Sequence, residues 1–316
     1  MLTYTLFIVG FYFLIKGADW LIEGASSVAK KFKVSNLMIG LTVVSFGTSA
    51  PELVVNILAS FKGSSDLAIG NIIGSNIANI LLILGIAAII FPLAVRKGTV
   101  NKEIPLNLLA VFVLWLLAND QLIDNVVFST LSRIDGAIFL AFFVIFMYYT
   151  LGLSKVEGES EEVEKYSLWK SILMIVGGIV ALALGGQWIV DGAIKIAFKF
   201  GMSESLVGLT IVAVGTSLPE LAASAMAAYK HKADIAIGNV VGSNVFNIFW
   251  ILGASAIIRP IIFSPALNFD IYFMAFITVL LFLFMFIGKK MILQRWQGVT
   301  MVFVYIFYIG YIIIRG

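Results

Sequence analysis

Apolar residues fall in long blocks along this chain, not in the alternation of a half-buried strand. Several blocks reach about 20 residues, the length a helix needs to cross the hydrocarbon core of a bilayer. Ten spans are predicted, at 2–25, 37–60, 67–92, 104–119 and 134–152, then 168–194, 205–228, 234–258, 269–288 and 296–314. The sharpest break in the pattern is the polar segment SKVEGESEEVEKYS at 154–167, read as a solvated acidic linker on the cytoplasmic side. It separates a first five-span unit, 1–153, from a second, 168–316. The first block begins directly after Met1, with no basic n-region and no small-residue cleavage motif, and reads as a span and not as a signal peptide.

The two units repeat one another. The first contains GLTVVSFGTSAPEL from Gly40 and GNIIGSNIANI from Gly70; the second contains GLTIVAVGTSLPEL from Gly208 and GNVVGSNVFNI from Gly238. The offset is 168 throughout, and Gly40–Gly85 matches Gly208–Gly253 at 25 of 46 positions without a gap. Trp20 and Trp188, Glu23 and Asp191, and Pro92 and Pro260 keep the same offset, whereas RIDG from Arg133 returns as RWQG from Arg295, an offset of 162. Five spans per unit is an odd number, so the copies enter the membrane from opposite faces. The expected fold is therefore all-α and polytopic, ten transmembrane helices as two inverted five-helix repeats. Of the 21 Lys and Arg, 14 fall on one side and six on the other, with Lys16 inside the first span. The richer side is expected to be cytoplasmic, which puts both termini outside a plasma-membrane protein. Inverted repeats are a common plan of secondary transporters, with ion sites near the midplane where helices are broken.

Composition agrees with a membrane protein. The chain has 316 residues, 61% hydrophobic and 12% charged, against roughly 25% charged in soluble domains. A net charge of +3 gives no reason to expect nucleic acid as a partner; the partner is the lipid bilayer. With no cysteine there is neither a disulfide framework nor a thiolate metal site.

The chemistry sits in the repeated phrases. Pro51 brings no amide hydrogen, so the Gly47 carbonyl loses its helical partner beside Thr48, Ser49 and Glu52. Pro219 does the same for Gly215 beside Thr216, Ser217 and Glu220. In the second phrase, Ser75 and Asn79 are four apart and share a helix face, as do Ser243 and Asn247. The Gly70/Gly74 and Gly238/Gly242 pairs, with Asn71 and Asn239, suit close helix packing. Together these residues form an all-oxygen ligand set. Hard cations take such ligands, and Ca2+ takes about 6–8 of them. Two carboxylates balance one Ca2+ or two Na+, and no Lys or Arg lies in either phrase to neutralise them.

In both phrases, in both copies and in the ten-span layout, the chain resembles the cation/Ca2+ exchanger superfamily, specifically its Na+/Ca2+ exchanger branch of prokaryotic type. The GTSxPE and GNxxGSN phrases look like that family's α-1 and α-2 repeats. The resemblance implies an antiporter, with no enzymatic activity and no cofactor, that moves Ca2+ against Na+ by alternating access, electrogenically at three Na+ per Ca2+. It implies a Ca2+ site from Glu52, Glu220 and the backbone oxygens of Thr48 and Thr216. It also implies flanking Na+ sites from Ser49, Ser75, Ser217, Ser243 and the backbone carbonyls of Ser45 and Ala213. Asn79 lines the same cluster. Several prokaryotic relatives have Asp where this chain has Asn247, so the centre here holds two carboxylates and not three.

The nearest alternative is H+/Ca2+ exchange with the two glutamates as proton carriers; the paired hydroxyls favour Na+. A passive cation channel is a different class, disfavoured because an inverted pair makes one midplane site instead of a ring. The first span of each unit, with few ligands of its own, is expected to slide over the rest to switch access, and Gly17, Gly24, Gly185, Gly186 and Gly192 fit a small-residue sliding surface. Asp66 and Asp234 are expected to cap helices, Asp19, Glu23 and Asp191 to lie at the interface, Trp20 and Trp188 to anchor there, and His231 to be solvated.

Overall fold

The computed structural model describes residues 2–152, 166–200 and 213–315. Its helices are α1 (Leu2–Phe32), α2 (Asn36–Thr48), α3 (Ala50–Lys62), α4 (Ser65–Ile90), α5 (Lys97–Leu117) and α6 (Arg133–Gly152) in the first unit. The second unit has α7 (Leu168–Lys199), α8 (Leu218–Tyr229), α9 (Ala233–Ile258), α10 (Pro265–Phe284) and α11 (Arg295–Arg315). Among the described residues, eight helices are long and apolar enough to cross a membrane, and α2 with α3 makes a ninth span bent by 48°. The span expected at 205–228 lies partly outside the described residues, as does nearly all of the 154–167 linker.

Local sequence sets the helix ends. The Ser35 side chain accepts the Met38 amide at 3.1 Å and starts α2; Ser167 accepts from Lys170 at 3.3 Å and starts α7. At Gly63 the backbone turns left-handed (φ 74°), which ends α3. Asp66 and Asp234 do not cap: they sit inside the first turns of α4 and α9. Asp234 instead pairs with Arg96 at 2.6 Å.

The two helices built on the GNxxGSN phrases form the centre. Their apolar windows are 78% buried, against 22–44% in the other long helices, which leave more of their apolar surface exposed. Gly238 and Gly242 let α9 pack directly on α2: a Cβ at Gly238 would meet the Leu37 carbonyl at 2.9 Å, and one at Gly242 would meet the Leu41 carbonyl at 2.8 Å. Gly70 and Gly74 have no such neighbour among the described residues.

Contacts between the units are reciprocal. A Cβ at Gly10 would meet the carbonyl of Gly185 at 2.9 Å, and one at Gly17 would meet that of Gly178 at 2.9 Å. Gly178 and Gly185 are the residues 168 positions after Gly10 and Gly17, so α1 and α7 are equivalent helices, packed antiparallel. The two small antiparallel ribbons follow the same rule, Leu93 pairing with Leu293 and Leu131 with Ile261. Such i-to-j and j-to-i contact is the mark of a two-fold relation. Gly17 and Gly185 thus sit between α1 and α7, whereas Gly186 fits the expected sliding surface over the rest: its nearest neighbour is Pro219, at 3.7 Å, and not α1.

At the ends of these helices the charges are paired. Lys230 binds Asp19 and Glu23, each at 2.5 Å, and joins α1 to the turn between α8 and α9. Asp191 is exposed and accepts from Gln187 at 2.8 Å. His231 is not simply solvated, since its ring stacks on Phe91 at 4.1 Å. Trp20 is half exposed, whereas Trp188 meets Phe13 edge-on.

Candidate functional site

Each proline phrase breaks its helix at the serine that precedes it. Ser49 has φ −81° and ψ 6°, Ser217 has φ −87° and ψ 5°, and a new helix starts after each with proline in its first turn. Glu52 and Glu220 therefore stand in the first turns of α3 and α8, where unpaired amides and the helix dipole favour negative charge. Both side chains are 1% exposed. Neither makes an ion pair among the described residues.

The hydroxyls cross between the units. Ser49 Oγ donates to Glu220 Oε1 at 2.9 Å and Ser217 Oγ to Glu52 Oε1 at 3.5 Å, while Ser75 Oγ reaches the same Glu52 oxygen at 3.4 Å. Thr48 Oγ1 donates to Asn239 Oδ1 at 3.1 Å and Thr216 Oγ1 to Asn71 Oδ1 at 3.4 Å. Asn79 Nδ2 donates to Asn244 Oδ1 and Asn247 Nδ2 to Asn76 Oδ1, both at 2.9 Å. Each of these bonds has its 168-offset counterpart except Ser75 to Glu52, since Ser243 makes no matching bond to Glu220 among the described residues.

What these bonds leave over is mostly oxygen, the Asn244 Nδ2 donor being the exception. Glu52 Oε2, Glu220 Oε2, Asn79 Oδ1, Asn247 Oδ1 and Ser243 Oγ are buried and have no hydrogen-bond partner among the described residues. Buried oxygens without donors cost about 1–3 kcal/mol each, more when charged. Bound cations are one kind of partner that such oxygens accept. The donor set is carboxylate, amide and hydroxyl oxygen, which suits a hard cation; no group of three or more His, Cys, Asp or Glu forms among the described residues.

The backbone ligands are less uniform. The Ser45 carbonyl accepts the Ser49 amide at 3.0 Å and the Thr48 hydroxyl at 3.4 Å, so it is not freed by the break. Ala213 opens the short helical turn Ala213–Gly215 that leads into Thr216 and Ser217. Wide π-type turns fall at Gly40–Val44, Asn79–Ile83 and Phe246–Leu252, two of them at the site asparagines. Such turns are frequent at functional sites because they displace carbonyls from the regular ladder.

Several supporting residues escaped the sequence reading. Asn56 and Ser224, a 168-offset pair, support Asn71 and Asn239: Asn71 Nδ2 donates to Asn56 at 2.6 Å and Asn239 Nδ2 to Ser224 at 2.9 Å. Asn71 and Asn239 thus do more than pack, since each receives a site threonine. Asn76 and Asn244, the middle asparagines of the GSN phrases, were also not singled out. The signal was there, a polar residue recurring at the repeat offset inside an apolar helix.

The sodium/calcium exchanger protein family profile matches residues 2–152 and 170–314. CaxA of Alkalimonas amylolytica is 39% identical over 320 residues, 98% of each chain. The sodium/calcium exchanger MaX1 of Methanosarcina acetivorans is 32% identical over 347 residues, covering 98% of this chain and 97% of MaX1. Among solved structures, the sodium-calcium exchanger NCX_Mj soaked with Na+ and Ca2+ matches with a TM-score of 0.84, at 32% identity over 98% of each chain.

Proposed function

The chain belongs to the sodium/calcium exchanger protein family, and on that premise we propose that it exchanges Na+ for Ca2+ by alternating access at a single site shared by its two halves. Membership makes it a multi-pass membrane transporter of the cation/Ca2+ antiporter type and not an enzyme. The finer reading is that Ca2+ takes Glu52 and Glu220 with oxygens of Thr48 and Thr216. Na+ takes the same carboxylates with Ser49, Ser75, Ser217, Ser243, Asn79, Asn247 and the carbonyls of Ser45 and Ala213, the Ser45 carbonyl giving up its longer bond, from Thr48, to do so. The observation that carries this reading is the pair of buried glutamates, each bonded through one oxygen to a serine of the other half, with its second oxygen unpartnered.

Competition follows from the charge. The two ions share both carboxylates and so exclude one another. A loaded site crosses the barrier, whereas two bare carboxylates in a low-dielectric interior cost several kcal/mol each. Sliding of α1 and α7 over the rest of the molecule switches access, and their mutual glycine contacts let the two helices move as a pair. The proposed frame is ten helices in two inverted repeats, 1–153 and 168–316, joined by a cytoplasmic 154–167 segment, with both termini outside a plasma membrane. Exchange of three Na+ for one Ca2+ would move one net charge per cycle.

The test is ⁴⁵Ca2+ uptake into proteoliposomes loaded with Na+, set against proteoliposomes with an outward proton gradient and no Na+. Uptake driven by Na+ is expected. Uptake that follows only the proton gradient would replace this reading with H+/Ca2+ exchange.

A further inference from the structure

One hydrogen bond among the four GSNxxN asparagines has a single allowed polarity. Asn76 Nδ2 lies 3.2 Å from the backbone carbonyl of Asn244. A carbonyl only accepts, so Asn76 must place its NH2 group there and its Oδ1 at the other end of the amide. That Oδ1 faces the Asn247 amide at 2.9 Å, which must therefore turn its own NH2 toward Asn76. Asn247 Oδ1 is left pointing away, buried and without a partner. A main-chain atom of α9 thus dictates, through two side chains, which end of Asn247 is offered to the site.

The equivalent arm lacks this control. Asn79 Nδ2 donates to Asn244 Oδ1 at 2.9 Å, but among the described residues Asn244 Nδ2 has no partner and no backbone carbonyl fixes that amide. The asymmetry matters because an amide is close to symmetric in shape and opposite in polarity at its two ends. Turned one way it coordinates a cation; turned the other it repels one. A carboxylate at the same position has oxygen at both ends and needs no such guidance.

We infer that Asn76 is a positioning residue for the cation site, holding the Asn247 amide so that it presents oxygen and not NH2 to the bound ion. The inference rests on the reading of the Glu52–Glu220 cluster as a cation site, but not on which ion drives transport. A merely structural role for Asn76, tying α4 to α9, is the competing explanation, and the two separate in an Asn247→Asp background.

The experiment uses the purified full-length protein, with Ca2+ alone and then Na+ alone titrated in choline buffer. The rise in thermal unfolding midpoint gives the half-saturating concentration of each ion. Asn76→Leu in the native background raises that concentration about tenfold or more for at least one of the two ions, the usual effect of losing a residue that orients a metal ligand. In the Asn247→Asp background the same substitution changes it less than about twofold, because a carboxylate offers oxygen whichever way it is turned. Equal losses in both backgrounds, or no loss with either ion in the native background, would overturn the inference. Should Asn76→Leu not fold, Asn76→Ala, which inserts no larger group, makes the same comparison. If neither Ca2+ nor Na+ stabilises the unaltered protein, the cation-site reading itself fails and takes this inference with it. Transport driven by protons instead of Na+ leaves it standing.

Discussion

Ser49 Oγ donates a 2.9 Å hydrogen bond to Glu220 Oε1, so a hydroxyl of the first half holds the carboxylate of the second. The reciprocal bond, Ser217 to Glu52, is looser at 3.5 Å. The site is thus not two copies of a motif placed side by side but one cluster, each half supplying the other's partner.

Ser49→Ala removes the hydroxyl that donates to Glu220 Oε1 at 2.9 Å. Loss of a bond to a buried charged group is expected to destabilise the ion-free protein by about 1–3 kcal/mol, and Ser217→Ala, whose bond is longer, by less. Thermal unfolding in chelator-treated, Na+-free detergent buffer ranks the two. The reverse ranking would mean that the hydroxyl distances do not report the bonding.

Gly178→Val is expected to disrupt the packing of α1 on α7. A Cβ there would meet the Gly17 carbonyl at 2.7 Å and Leu21 N at 2.8 Å, both backbone atoms that cannot swing aside. Overpacking of this kind costs about 1–3 kcal/mol and should also slow exchange if the two helices slide. Gly177→Ala, one residue away with its nearest neighbour at 3.9 Å, is expected to be tolerated. Monodispersity and uptake rate for the two variants check the pair; equal tolerance would remove the close approach from the account of α1 and α7.

Lys230 joins α1 to the turn between α8 and α9 through Asp19 and Glu23. Burial works against its charge, but the two carboxylates outweigh that and hold its pKa above the ordinary lysine value. For a raised pKa the stabilisation is complete below the unfolded lysine value and is lost as pH climbs through the folded one. Lys230→Gln should therefore lower thermal stability by about 1 kcal/mol at neutral pH and low salt. The gap should shrink at strongly alkaline pH and in high salt. A gap unchanged by either would point to lost packing instead of lost charge.

The sequence was most legible where the repeat and the apolar blocks coincide. Pro51 and Pro219 announced the helix breaks, because a residue without an amide hydrogen cannot continue the ladder, and Glu52 and Glu220 stood out as carboxylates in apolar surroundings. Side-chain partners depended on how the halves dock, which no local pattern encodes. Asp234 looked like a cap because it precedes a span, but Arg96 lies close enough to take it. His231 looked solvated between two lysines, but Phe91 covers its ring. Asn76 and Asn244 stayed hidden because an asparagine within a helix reads as packing until its partner from the other half is in place.

The most direct measurement is calorimetric titration of Ca2+ into the purified protein and into Glu52→Gln and Glu220→Gln. Each substitution keeps the side-chain shape and removes one of the two charges that balance Ca2+. The prediction is that the unaltered protein binds Ca2+, that added Na+ weakens this binding, and that either single substitution abolishes measurable binding. Retention of Ca2+ affinity by either variant would contradict a single site shared by the two halves.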